Sequence, residues 1–128
     1  MLTITIDVPP NEWLTSNMRR HWRDRSARTK ALRNRGLTCA RAAGVTTQPH
    51  QVRVVGEVVK RTNRRFDPGN VAPTVKAVMD GFTDAHLWID DDARHVVGPD
   101  YRAGIPDPTI RPQWHRLIFT IAPAEETQ

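Results

Sequence analysis

The chain has 128 residues, which suits one domain around one modest core, and its 19 Lys plus Arg against 14 Asp plus Glu give a net charge of +5. No apolar run is long enough for a membrane span or a secretory signal, and the single cysteine, Cys39, excludes an internal disulfide and a Cys/His zinc site. A soluble protein of a reducing cytoplasm, with no membrane partner, is therefore the expectation.

Leu2, Ile4, Ile6 and Val8 alternate with Thr3, Thr5 and Asp7, the period of a half-buried strand, and Pro9-Pro10 ends it. A helix is expected from near His21 or Arg25 to about residue 43. Its inner face would be Trp22, Ala27, Ala31, Leu32, Cys39 and Ala42, with arginines elsewhere and Gly44 as a stop signal. Gly36 weakens the middle of this helix and reads as a break. Val52, Val54, Val58 and Val59 mark a strand over 51–60, followed by a charged loop over 61–70. A second helix over 71–83 has Pro73 in its first turn and Val75, Val78, Met79 and Phe82 on one buried face. Lys76 and Asp80 lie one turn apart on a different face. The apolar Leu87-Trp88-Ile89 runs into Asp90-Asp91-Asp92. Strands over 95–102 and 114–121 follow, the last with Leu117, Phe119 and Ile121 on one side. The order β-α-β-α-β-β predicts a small α+β domain over residues 1–122: a mixed sheet with helices on one face, and a frayed polar tail at 123–128.

The charges are segregated. Asp24 and Glu57 are the only acids between Arg19 and Arg65, whereas acids outnumber bases from Phe66 onward. Such a division favours a basic face that meets phosphate beside a separate acidic site. Arginine, with its planar fork, suits bidentate contact with phosphate oxygens. Magnesium prefers oxygen ligands and is held by a few carboxylates together with waters and substrate phosphates. Asp67 stands between a strand and a helix, and Asp90 and Asp91 follow an apolar run, so carboxylates distant in sequence can converge at element ends. Each feature alone is ordinary: Asp67-Pro68-Gly69 is a turn sequence, the acidic triplet a solvated loop, and Lys76 with Asp80 a surface ion pair. Their combination inside a basic chain is what points to a metal held against a polyanion. Trp13, Trp22 and Trp114 are candidates for stacking on unpaired bases, against a commoner role in the core.

The segment Arg64-Arg65-Phe66-Asp67-Pro68-Gly69-Asn70, then Val75-Lys76-Ala77, Asp80-Gly81 and Trp88-Ile89-Asp90-Asp91, resembles the RusA family of Holliday junction resolvases. Asn17-Met18-Arg19-Arg20-His21-Trp22 with Arg25, and Val96-Val97-Gly98-Pro99-Asp100, are similar to its bacteriophage branch. The resemblance implies a Mg²⁺-dependent endonuclease (Mn²⁺ being an alternative ion). It would act as a homodimer on four-way DNA junctions, in the cytoplasm of a bacterial host cell, in recombination and repair. It implies catalytic roles for Asp67, Lys76 and Asp91, and metal ligands among Asp67, Asp80, Asp90 and Asp91. Contacts to DNA would come from Arg19, Arg20, Arg23, Arg25, Arg64, Arg65 and Asn70. The family pattern carries a second aspartate two residues after the first; here that position is Gly69, and the link to Lys76 is longer. Asp80, Asp90 or Asp92 could supply the missing carboxylate. Two other readings stay open: a junction-binding relative without catalysis, and a nuclease for flaps or single strands.

Overall fold

The computed structural model describes residues 1–127. Six elements follow the expected order: β1 (Leu2–Val8), α1 (Trp22–Ala42), β2 (Val52–Val59), α2 (Ala72–Asp84), β3 (Val96–Ala103) and β4 (His115–Pro123). The four strands form one mixed sheet in the order β1-β4-β2-β3, with β4 antiparallel to both neighbours and β2 parallel to β3. The C-terminal strand thus lies in the middle of the sheet. No helix among the described residues is long and apolar enough to cross a membrane.

Alternation decides which face of the sheet is buried. Ile4, Ile6 and Val8 of β1, Leu117, Phe119 and Ile121 of β4, and Val52, Val54 and Val58 of β2 all point into the core. Helix α2 lies over them: Val75, Val78 and Phe82 are fully buried, and Phe82 meets Phe119 edge to face with ring centroids 5.0 Å apart. Val75 of α2 sits over Gly56 of β2, where its Cγ1 would lie at ordinary contact distance, 3.7 Å, from a Cβ. On the opposite face Asp7 pairs with Arg116 across β1 and β4 at 2.7 Å.

Helix α1 rests mainly on α2, and its inner face differs from the expected one. Leu32, Gly36 and Ala40 are buried, Ala31 and Cys39 are half-buried, and Trp22, Ala27 and Ala42 are exposed, Trp22 at 67 %. Gly36 does not break the helix. A Cβ on Gly36 would lie 2.2 Å from the Val78 carbonyl oxygen, and one on Gly81 would lie 2.1 Å from that of Arg33. The two helices therefore cross backbone to backbone at this pair of glycines, and the buried stripe centres on the crossing. Alanine and leucine spacing alone could not reveal it.

Arginines then fasten α1 in place. Arg33 grips Asp84 at the end of α2 through two bonds of 2.6 and 2.8 Å, and Arg35 grips Glu12 through two of 2.7 Å. Arg28 bonds Asp24 and also the Pro10 and Trp13 carbonyls. The tail begins later than expected: β4 runs through Pro123, a 3-10 turn spans Ala124–Thr127, and Ala124 N donates to Gln51 O at 2.9 Å. Gln128 of the expected tail lies outside the described residues.

The glycine crossing gives a test whose sign decides. Helix propensity alone makes Gly36→Ala stabilising by about 1 kcal/mol. Overpacking against the Val78 carbonyl reverses that, for a net loss of ~1–3 kcal/mol in urea denaturation. An unchanged or raised midpoint would mean the helices do not touch here.

Candidate active site

Burial of Val75, Val78 and Phe82 turns the flank bearing Lys76, Met79, Asp80 and Thr83 toward the edge strand β3. Between that flank and β3 lies a cavity of about 200 Å³. Lys76, Asp80 and Asp91 line it together, over an apolar floor that includes Trp88, Pro99 and Tyr101. Three of the expected site residues, from two separate segments, thus share one concavity.

Trp88 explains how Asp91 arrives there. It is 1 % exposed, packs edge-on to Phe82, and donates from Nε1 to Thr83 Oγ1 at 2.7 Å. The backbone on either side is pinned as well, with Gln48 N donating to Leu87 O at 2.7 Å and a bridge between Gln48 and Trp88. The acidic triplet leaves this anchor as an exposed turn. Asp92 bonds the His95 imidazole, which holds its carboxyl below the usual carboxylate range, and its carbonyl accepts from His95 N and Val96 N. Asp90 Oδ1 accepts from Asp91 N at 2.8 Å. Only Asp91 of the three lines the cavity.

Asp80 is the strained member. Half-burial pushes its carboxyl upward, Arg33 and Lys76 oppose the shift, and the nearby Asp91 and Asp84 carboxylates add to it. Two like charges held at one concavity, with an amine beside them, are the electrostatic setting for a cation. Magnesium is commonly held by one or two carboxylates plus substrate oxygens, so Asp80 and Asp91 fit the role of ligands. Among the described residues, no three His, Cys, Asp or Glu groups come close enough to form a complete protein cage.

Asp67 is not brought into the cavity. It caps the 3-10 turn Pro68–Val71, accepting from Gly69 N at 2.9 Å through Oδ1. A Cβ on Gly69 would lie 3.3 Å from that same oxygen. The position lacking a carboxylate is therefore directly against Asp67.

The 17–22 segment reaches this turn through a clamp that sequence reading missed. Thr74, 0 % exposed, accepts from Leu14 N at 2.9 Å and donates to Leu14 O at 2.7 Å, and Ser16 N donates to Asn70 O at 2.8 Å. Of the expected DNA contacts, Arg19, Arg23, Arg64 and Arg65 are exposed and in no ion pair among the described residues. Arg20 pairs with Asp24 at 3.4 Å, and Arg25 donates to the Met18 carbonyl at 3.1 Å. Tyr101 and Thr83 also went unrecognised, and Trp88 figures in the sequence only as part of an apolar run and its motif, since nothing in a linear pattern marks a cavity floor.

The tryptophans divide. Trp13 is buried and stacks face to face on His115 at 3.9 Å, so it is core. Trp114 is half-buried beneath Arg111, and Trp22 is open to solvent with Arg23 over its ring.

Searches against known protein families and against curated proteins find no match to this chain.

His115 supplies a pH test. Its Nδ1 is buried without a hydrogen-bond partner, and burial with the nearby Lys60 charge brings its pKa down to about 4 from 6.5. The unfolded chain then takes up a proton that the folded one refuses, so this residue's contribution to stability is present above pH ~6.5 and lost as pH falls toward 4. His115→Phe should flatten the acid limb of a plot of melting temperature against pH over that window, and a parallel shift of the whole curve would count against it.

Proposed function

We propose that this chain is a Mg²⁺-dependent, structure-selective endodeoxyribonuclease of the RusA type that nicks four-way DNA junctions as a homodimer. The observation that supports it most is the convergence of Lys76, Asp80 and Asp91 on one cavity in a protein with unpaired surface arginines. Asp80 and Asp91 would hold the divalent ion, Mg²⁺ or Mn²⁺. If bound there, such an ion would polarise the scissile phosphate and lower the pKa of an attacking water. The Lys76 ammonium, one helical turn before Asp80, neutralises charge that builds on the phosphate oxygens. The apolar floor of Trp88, Pro99 and Tyr101 keeps bulk water from beneath the reacting group. Asp67 stands outside this cavity and leaves Oδ2 open, so it would join as an outer carboxylate once DNA is bound. Two copies related by a two-fold axis would present two such sites to the opposed strands of a junction, in the cytoplasm of a bacterial host cell.

A second reading rests on one specific observation. Asp67 lies apart from the cavity and Gly69 puts no carboxylate beside it, which is the arrangement of a junction-binding relative without catalysis.

The experiment is cleavage of a synthetic four-way junction, a flap and a linear duplex in Mg²⁺ or Mn²⁺. The nuclease reading expects paired nicks in the junction alone. Asp91→Asn should lower the rate ~100-fold or more while binding is kept. Tight junction binding with no cutting at any metal concentration establishes the second reading, and faster cutting of flaps makes the protein a flap nuclease. A separate measurement addresses the gap at 69: with a four-way junction bound, Gly69→Asp should tighten Mn²⁺ binding about tenfold in calorimetry, because Mg²⁺-type sites depend on few strong ligands. An unchanged affinity would take the Asp67 turn out of the metal site.

A further inference from the structure

Beyond the end of β2, two adjoining concavities of about 330 and 240 Å³ share Lys60, Thr62 and Arg64. The first is closed by Phe66 and the 103–106 loop, the second by Arg61 and residues 112–115. No carboxylate lines either one. The charge here has a particular character. Arg28, Arg33, Arg35 and Arg116 all hold carboxylates, whereas Lys60, Arg61, Arg64 and Arg65 hold none among the described residues. Lys60 is half-buried, with its ammonium 4.2 Å from the centre of the Phe66 ring. Burial and the neighbouring Arg64 both push its pKa down, and an arriving anion would add to the stabilisation that the Phe66 ring already gives the ammonium.

We infer that this groove is a docking subsite for the phosphodiester backbone of an unpaired DNA strand. Uncompensated cations along a groove, with aromatic faces at its sides, match the chemistry by which single strands are held without sequence preference. Phe66 lies at one side, and Trp114 at the other under the Arg111 guanidinium, 5.2 Å from its ring centre. Asp67 directly follows Phe66 in the chain, so a strand seated here leads to the Asp67 turn and on toward α2. The inference rests on the reading that DNA is the substrate, and it adds that junction arms are frayed or flaps engaged at this end.

The test is binding of a fluorescent oligo-dT in EDTA as a function of salt, which needs no cleavage. The variant carries Arg61→Gln and Arg64→Gln, both exposed in the wild type, so the fold is retained. Its affinity for oligo-dT should fall about tenfold or more, and the slope of log K against log salt should drop by ~1.4, the value for two lost phosphate contacts on a single strand. A control with Lys30→Gln and Arg41→Gln removes the same charge from α1 and should change neither. Unchanged oligo-dT binding in the first variant overturns the inference, as does an equal loss in the control or an equal loss on blunt duplex. The two readings fail separately: wild-type junction cutting with no groove effect removes only the subsite, and groove-dependent binding with no cutting removes only the nuclease.

Discussion

The contact between Gly36 and Gly81 is the constraint on which the rest of this molecule depends. With no side chain at either position, the helix backbones meet, and α2 is pressed into the sheet between α1 and the valines of β2. That placement sets the rotation of α2. Once Val75, Val78 and Phe82 occupy the core, the 3.6-residue period leaves Lys76 and Asp80 only one direction, toward β3. Trp88 then packs against Phe82 and bonds Thr83, which carries the following acidic turn to the same cavity. A helix contact on one side of α2 thus determines which charges meet on the other.

The arginines divide by what they hold. Those on the inner and middle part of α1 hold carboxylates or carbonyls of this chain: Arg28 to Asp24 and two carbonyls, Arg33 to Asp84, Arg35 to Glu12. These bidentate or multiple bonds supply structure that a helix poor in apolar residues lacks. The arginines near the 67–70 turn and at the end of β2 have no such partners among the described residues. Composition alone counts both groups as one basic surface. Geometry separates charges already satisfied from charges awaiting an anion, and Arg61, Arg64 and Arg65 of the second group line the concavities beyond the end of β2.

Much of the fold was legible because it is written in periodicity. The strand alternations of Ile4, Ile6 and Val8 and of Leu117, Phe119 and Ile121, and Val75, Val78 and Phe82 of α2, stand where the pattern places them, whereas Met79, expected on the same buried face, is half-buried and lines the cavity. Helix α1 was legible as a helix but not in its orientation, because its contact face holds one large apolar residue, Leu32, beside Gly36 and Ala40. Trp22, the most conspicuous apolar residue of that helix, is exposed. The sheet order was not legible, since pairing of β4 between β1 and β2 depends on long-range register. For the site, the spacing of Lys76 and Asp80 and the apolar run before Asp91 carried real information, because helix geometry and a buried tryptophan convert them into position. Asp67 and Asp91 looked equivalent in the sequence. They differ in space because Asp67 is drawn into capping its own turn.

Asp80 and Asp91 also show how this site stands apart from the stability of the fold. A half-buried carboxylate facing another raises the energy of the folded state, and neither a stronger core nor a bidentate arginine nearby removes that cost: Arg33 lies within range of Asp80 but spends both its bonds on Asp84. An asparagine at position 80 would relieve the repulsion without loss of shape. The chain instead keeps two acids, places a lysine one turn away, and floors the concavity with Trp88 and Tyr101, so that Asp80 is half-buried while Asp91 and Lys76 stay open to solvent. A local arrangement that opposes stability while the surrounding fold holds it rigidly is the pattern expected where a charged ligand completes the structure. On the proposed reading that ligand is a divalent ion shared with a phosphate, and the unpaired arginines beside the Asp67 turn supply the attraction that brings the phosphate to it.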